Sequence, residues 1–104
     1  AVSAETIDAT ISFLQKVVST MYGIKAKEFM RKTNNAEICN AKHMFFWALV
    51  RHLPNTSVSA IARRVGKDHS TILHSCKRFE NKKHMMQDQI KIIDKAMEAF
   101  KCGC

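Results

Sequence analysis

An all-α fold, a compact bundle of about six helices, follows from three features of these 104 residues. Apolar residues recur at three- and four-residue spacing along most of the chain. No stretch alternates apolar with polar as a half-buried strand would. Only three glycines and one proline interrupt the pattern. Apolar residues make up 46% of the chain, too many for disorder and enough for one core without disulfide or metal staples. The length suits a single domain over residues 1–104.

Ile7, Ile11, Leu14, Val18 and Met21 predict an amphipathic helix over 6–22. Gly23 stands where a left-handed C-terminal cap is wanted. A short helix over 26–31 presents Phe29 and Met30, and residues 32–37 read as a polar loop. Asn40 is positioned to cap a third helix, 41–53, with Ala41, Phe45, Ala48 and Leu49 as its core stripe. Phe46 and Trp47 suit packing better than base stacking. Pro54-Asn55-Thr56 stops that helix and Ser57 caps a fourth, whose Val58, Ile61, Ala62 and Val65 face the core. Gly66 lets the chain reverse, and Asp68 is placed to cap a fifth helix. There Ile72, Leu73, Cys76 and Phe79 cluster on one side. A last helix, roughly 88–100, carries Ile90, Ile93, Met97 and Phe100 at helical spacing.

Residues 57–82 therefore have the layout of a helix-turn-helix, a motif whose second helix enters the major groove of DNA. The polar side of that second helix carries Ser70, Thr71, His74, Lys77, Arg78 and Asn81, each able to touch nucleic acid. Such helices read bases with their N-terminal residues and hold the backbone with basic residues further along. Asp68 and His69 lie at the tip. The Asp68 carboxylate either accepts from a cytosine amino group or serves only as a cap. His69 suits a DNA contact; His74 fits a contact or a structural role equally. Ser70 and Thr71 offer hydroxyls to base edges or phosphates, and Thr71 a methyl to thymine. Lys67, Arg63, Lys77 and Arg78 read as phosphate clamps.

Charge placement points the same way. The chain carries a net +8. Residues 1–22 hold Glu5 and Asp8 against Lys16, whereas 63–83 hold seven cations against Asp68 and Glu80. The excess is thus concentrated on the helix-turn-helix, as expected of a face that meets phosphates.

Other classes fit poorly. No apolar run approaches the roughly 18 residues of a membrane span, and no signal peptide opens the chain. The chain opens on Ala1 rather than Met, as a domain cut from a longer protein would. Cys39, Cys76, Cys102 and Cys104 have no disulfide-framework spacing, so reduced thiols and a cytoplasmic setting are expected. Cys76 reads as a small core residue. The Cys102-Gly103-Cys104 tail has too few ligands for a soft metal, and no metal or other cofactor is expected. Without a phosphate-binding glycine loop or a nucleophile–base motif, the sequence points away from an enzyme.

The run Lys67-Asp-His-Ser-Thr-Ile-Leu-His-Ser-Cys-Lys-Arg-Phe79 resembles the signature of the C-terminal DNA-binding domain of bacterial replication initiators of the DnaA family. In that family an Asp-His-Thr/Ser-Thr tetrad opens the recognition helix, followed by an aliphatic pair, His, a small residue, Cys and two basic residues. A weaker likeness extends over most of 6–98. The resemblance implies that Asp68, His69, Ser70 and Thr71 meet bases in the major groove of a DnaA box. It implies backbone contacts for Lys42 and His43, and a DNA-facing role for Arg51. The family's arginine-rich loop, which reaches into the minor groove, is replaced here: Asn34 stands at the arginine's place and Asn40-Ala41 at its Arg-Pro pair. One lost base contact costs about 1–3 kcal/mol. Ser59 also stands where many relatives have proline.

Three functions fit these residues. The first is sequence-specific binding of double-stranded DNA at a DnaA-box-like site by a monomer, in replication initiation or its regulation. The second is a stand-alone phage or mobile-element repressor or origin regulator, a homodimer through the stripe of the last helix. The third is a protein-interaction module, facing other replication or regulatory proteins, that has lost DNA affinity.

Overall fold

The apolar run Met44-Phe-Phe-Trp-Ala-Leu-Val50 has no polar side to offer solvent, so a helix carrying it must be central. The computed structural model describes residues 4–29 and 31–102, and there this run forms the middle of α3 (Ala36–His52). Met44 through Leu49 are all buried. Around α3 stand α1 (Ala4–Tyr22), α2 (Ala26–Phe29), α4 (Val58–Val65), α5 (His69–Glu80) and α6 (Gln87–Cys102). A 3-10 turn, Lys83–Met85, links the last two. No strand occurs among the described residues, and none of their helices is long and apolar enough to cross a membrane. The all-α expectation holds. Met30, Gly103 and Cys104 lie outside the described residues.

The core is built as the periodicity predicts, with additions. Ile7, Leu14 and Val18 of α1 are buried, and Ile11 and Met21 pack beside them. Phe29, the buried residue of α2, meets Phe45 edge-on with centroids 5.2 Å apart. Trp47 and Phe46 are packing residues, 8% and 2% exposed. Ile90, Ile93 and Met97 hold α6 inward, and Phe100 stacks on Phe13 of α1 at 4.4 Å. Thr10 and Ser19 are buried within α1 but return their hydroxyls to the carbonyls of Thr6 and Lys16.

Two sequence expectations about the scaffold helices fail, and a third, the Asp68 side-chain cap, fails at the tip of α5. Helix α3 starts five residues early, because Asn35 rather than Asn40 is its cap: the Asn35 Oδ1 accepts from the amides of Glu37 at 2.9 Å and Ile38 at 3.2 Å. In α5 the buried row is Ile72, Ser75, Phe79, with Cys76 half-buried at its edge. Leu73 rolls outward and is 46% exposed. A serine occupies the i+3 place of the inward row, so apolarity alone put the stripe one residue too far round.

The helix-turn-helix is set by its caps. Ser57 Oγ accepts from the Ala60 amide at 3.1 Å and starts α4. Gly66 ends it at φ +71°, where any side chain would be strained, and the Lys67 amide closes onto the Ala62 carbonyl at 2.9 Å. Arg64 then ties α4 to Asp8 of α1 at 2.8 Å. Replacing Asn35 by Ala should cost about 1 kcal/mol in urea unfolding. Replacing Asn40 by Ala should cost less than about 0.5 kcal/mol, as for an exposed position that caps nothing.

Candidate nucleic-acid interface

The tip of α5 stands clear of the core. Asp68, His69, Ser70 and Thr71 are all exposed. Asp68 takes the cap position with extended backbone, but its carboxylate makes no capping bond. The amide that it would bind, that of Thr71, is already held by the Asp68 carbonyl at 3.0 Å. The expected side-chain cap is therefore absent, and the carboxylate projects at the helix end beside open backbone amides.

Behind this tip lie two groups of basic and histidine side chains. His74, Lys77 and Arg78 are exposed along α5, and Arg78 Nε donates to His74 Nε2 at 3.1 Å. The second turn of α3 brings His43 to the same place. Burial lowers the His43 pKa, and the nearby Lys82, Arg78 and His74 lower it further. Its Nδ1 is buried with no partner among the described residues. Lys42 donates to the Arg31 carbonyl, and its ammonium is pushed below the ordinary lysine range by burial and by Lys67 beyond the turn. Thus Lys42, His43, Lys67, His74 and Arg78 belong to neighbouring surface. Lys82, which donates to Asn40 Oδ1, joins them. The sequence reading missed it, although the spacing 74-78-82 continues one helical row.

Carboxylates decide which other cations are free. Arg51 lies over the Trp47 ring at 5.2 Å and is gripped by Asp94 of α6 through Nε at 3.2 Å and an NH2 at 3.1 Å. His52 reaches the same carboxylate at 3.0 Å. Burial works against the charged form of Asp94, but Arg51 and His52 outweigh it and its pKa falls. Trp47 Nε1 donates to Glu80 at 2.7 Å, and Lys83 pairs with Glu80 at 2.8 Å. Beneath them the Cys76 thiol is pushed up to about 11 by burial and then by Glu80, so it stays protonated. Asp8, Glu80 and Asp94 therefore engage Arg64, Lys83 and Arg51. Among the described residues no carboxylate pairs with Arg63, Lys77 or Arg78. Asn34 is exposed in the loop before α3, next to the cap.

Residues 11–79 match the family described as bacterial dnaA protein helix-turn-helix. The chain belongs to that family. It is 31% identical over 86 residues to the chromosomal replication initiator protein DnaA of Thermodesulfovibrio yellowstonii, covering 82% of this chain and 19% of that protein. The DnaA of a Caulobacter species is 35% identical over 72 residues, 68% of this chain and 15% of its own. That of a Thermoanaerobacter species is 26% identical over 102 residues, 95% of this chain and 23% of its own. The chain thus spans about a fifth of the length of the curated relatives it matches. No solved structure gives a significant match.

His43 gives this DnaA-type surface a pH signature. Its folded value lies below that of the unfolded chain, so the unfolded chain binds more protons as pH falls through about 6.5. Stability should therefore decline from pH 7 toward pH 5. The partly buried His52, whose pKa burial lowers despite Asp94, adds to the same slope. Urea midpoints of His43→Gln should decline less steeply over that range and keep the share owed to His52.

Proposed function

We propose that this domain binds double-stranded DNA sequence-specifically, at a DnaA-box-like site and as a monomer, in replication initiation or its regulation. One observation carries the reading: the exposed tetrad Asp68–Thr71 ends a helix flanked by cations that no carboxylate neutralises. The names of the relatives, chromosomal replication initiator proteins, support the replication setting.

In this reading α5 enters the major groove tip first. His69, Ser70 and Thr71 meet base edges, and the uncapped Asp68 carboxylate accepts from a cytosine amino group. Lys77, Arg78, Arg63 and Lys67 hold phosphates on either side, with Lys42, His43 and His74 along the same strand. Arg51 joins them only by leaving Asp94. That exposed pair is worth about 0.2–1 kcal/mol, so a phosphate can displace the carboxylate. The loop at Asn34 carries an amide where the family carries an arginine, which leaves the major groove as the main source of specificity.

Fluorescence anisotropy with a DnaA-box duplex and a scrambled duplex, at two salt concentrations, tests this directly. Box binding about a thousandfold tighter than scrambled binding is the expected result. Equal binding to both, falling steeply with salt, would leave only phosphate contacts and sink the specific reading. The double variant S70A/T71A should lose about tenfold or more on the box and little on the scrambled duplex. K77A should weaken both duplexes alike and reduce the salt slope by about one.

A further inference from the structure

Three large apolar side chains are exposed among the described residues: Leu73, Met85 and Ile92. Met85 belongs to the 3-10 turn and Ile92 to α6; only Leu73 lies on α5. At about 100° per residue, His69, Ser70, Leu73, His74 and Lys77 share one arc of about 140° on that helix. Leu73 lies within it, about 40° from His69 and about 40° from Lys77, one turn after the first and one turn before the second. All five are exposed. Among the described residues, this isobutyl group belongs neither to the core nor to the partly buried side chains packed on it, and the inward row is filled by Ile72, Ser75 and Phe79.

We infer that Leu73 packs against the C5-methyl group of a thymine on the floor of the major groove and is a specificity-determining residue of this domain. The inference rests on the reading of α5 as the recognition helix. Within that groove the thymine methyl is the apolar feature that base pairs present, and every other edge group is a donor or acceptor. A leucine within the reading arc therefore selects thymine by burying its methyl. It also disfavours cytosine, which offers an amino group and no methyl at that place. Recognition then combines polar readout from His69 and Ser70 with one apolar contact a turn deeper along the helix.

Deoxyuridine, which is thymidine without that methyl, provides the test. The probe is the tightest duplex recovered from a random-sequence pool, with each thymine replaced singly by deoxyuridine. The unaltered protein should lose about three- to fourfold at one thymine, the effect of returning one methyl group to water. Leu73→Ala should bind the parent duplex several-fold more weakly and be indifferent to deoxyuridine at that thymine. Leu73→Met should keep the sensitivity. If no thymine is sensitive in the unaltered protein, or the sensitive one remains equally so in L73A, the assignment is wrong; in the latter case Thr71 is the methyl contact. The scan on the unaltered protein stands even where L73A is unstable. Failure of the recognition-helix reading itself looks different: no sequence is enriched from the pool, and all duplexes bind alike.

Discussion

Helix α3 has no free side over its middle turns, and the rest of the molecule is arranged by that constraint. Six consecutive buried residues, Met44 through Leu49, require neighbours in every direction. Helices α1 and α5 supply the largest of those contacts, and Trp47 packs on Phe79 of α5 with centroids 4.8 Å apart. Helix α5 is therefore seated on the most deeply buried of the described elements. Its outward residues rest on a well-packed base, as the proposed base readout requires, since a hydrogen bond to a base edge tolerates little misplacement.

Charge is sorted by the same packing. Each described carboxylate that makes an ion pair takes a cation at the margin of the surface: Asp8 takes Arg64, Asp94 takes Arg51 and His52, Glu80 takes Lys83. Among the described residues, the basic side chains of α5 and Arg63 at the end of α4 are in no ion pair. A basic protein need not have a basic face. Here Asp8, Glu80 and Asp94 are engaged by other cations, so Arg63, Lys77 and Arg78 keep charge that a polyanion could meet.

Much of this was legible in the sequence, because helical spacing is a local property. The six helices, the Ser57 cap, the Gly66 reversal and the buried Phe46 and Trp47 all follow from residues a few places apart. The exceptions share a cause. Asn35 and Asn40 are chemically identical caps, and only the backbone after Thr33 selects the first. The inward row of α5 uses Ser75, a residue whose polarity argued for the outside, and so Leu73 was placed inside. Arg51 and Asp94 are 43 residues apart, and nothing local announces their pairing. The family signature located the tetrad but carried no information on which cations are already occupied, nor on the idle carboxylate of Asp68.

The indole of Trp47 has a consequence for observation. It is the only tryptophan in the chain, packed between α3 and α5, with its N–H held by Glu80 on the last turn of α5. Its emission therefore originates on the inner side of α5, against Phe79. A ligand that docks without shifting that helix leaves the spectrum in place. One that tilts α5 must stretch the Glu80 bond and let water reach the ring, which reddens the emission. The molecule thus carries a built-in optical gauge of whether recognition is rigid or adaptive.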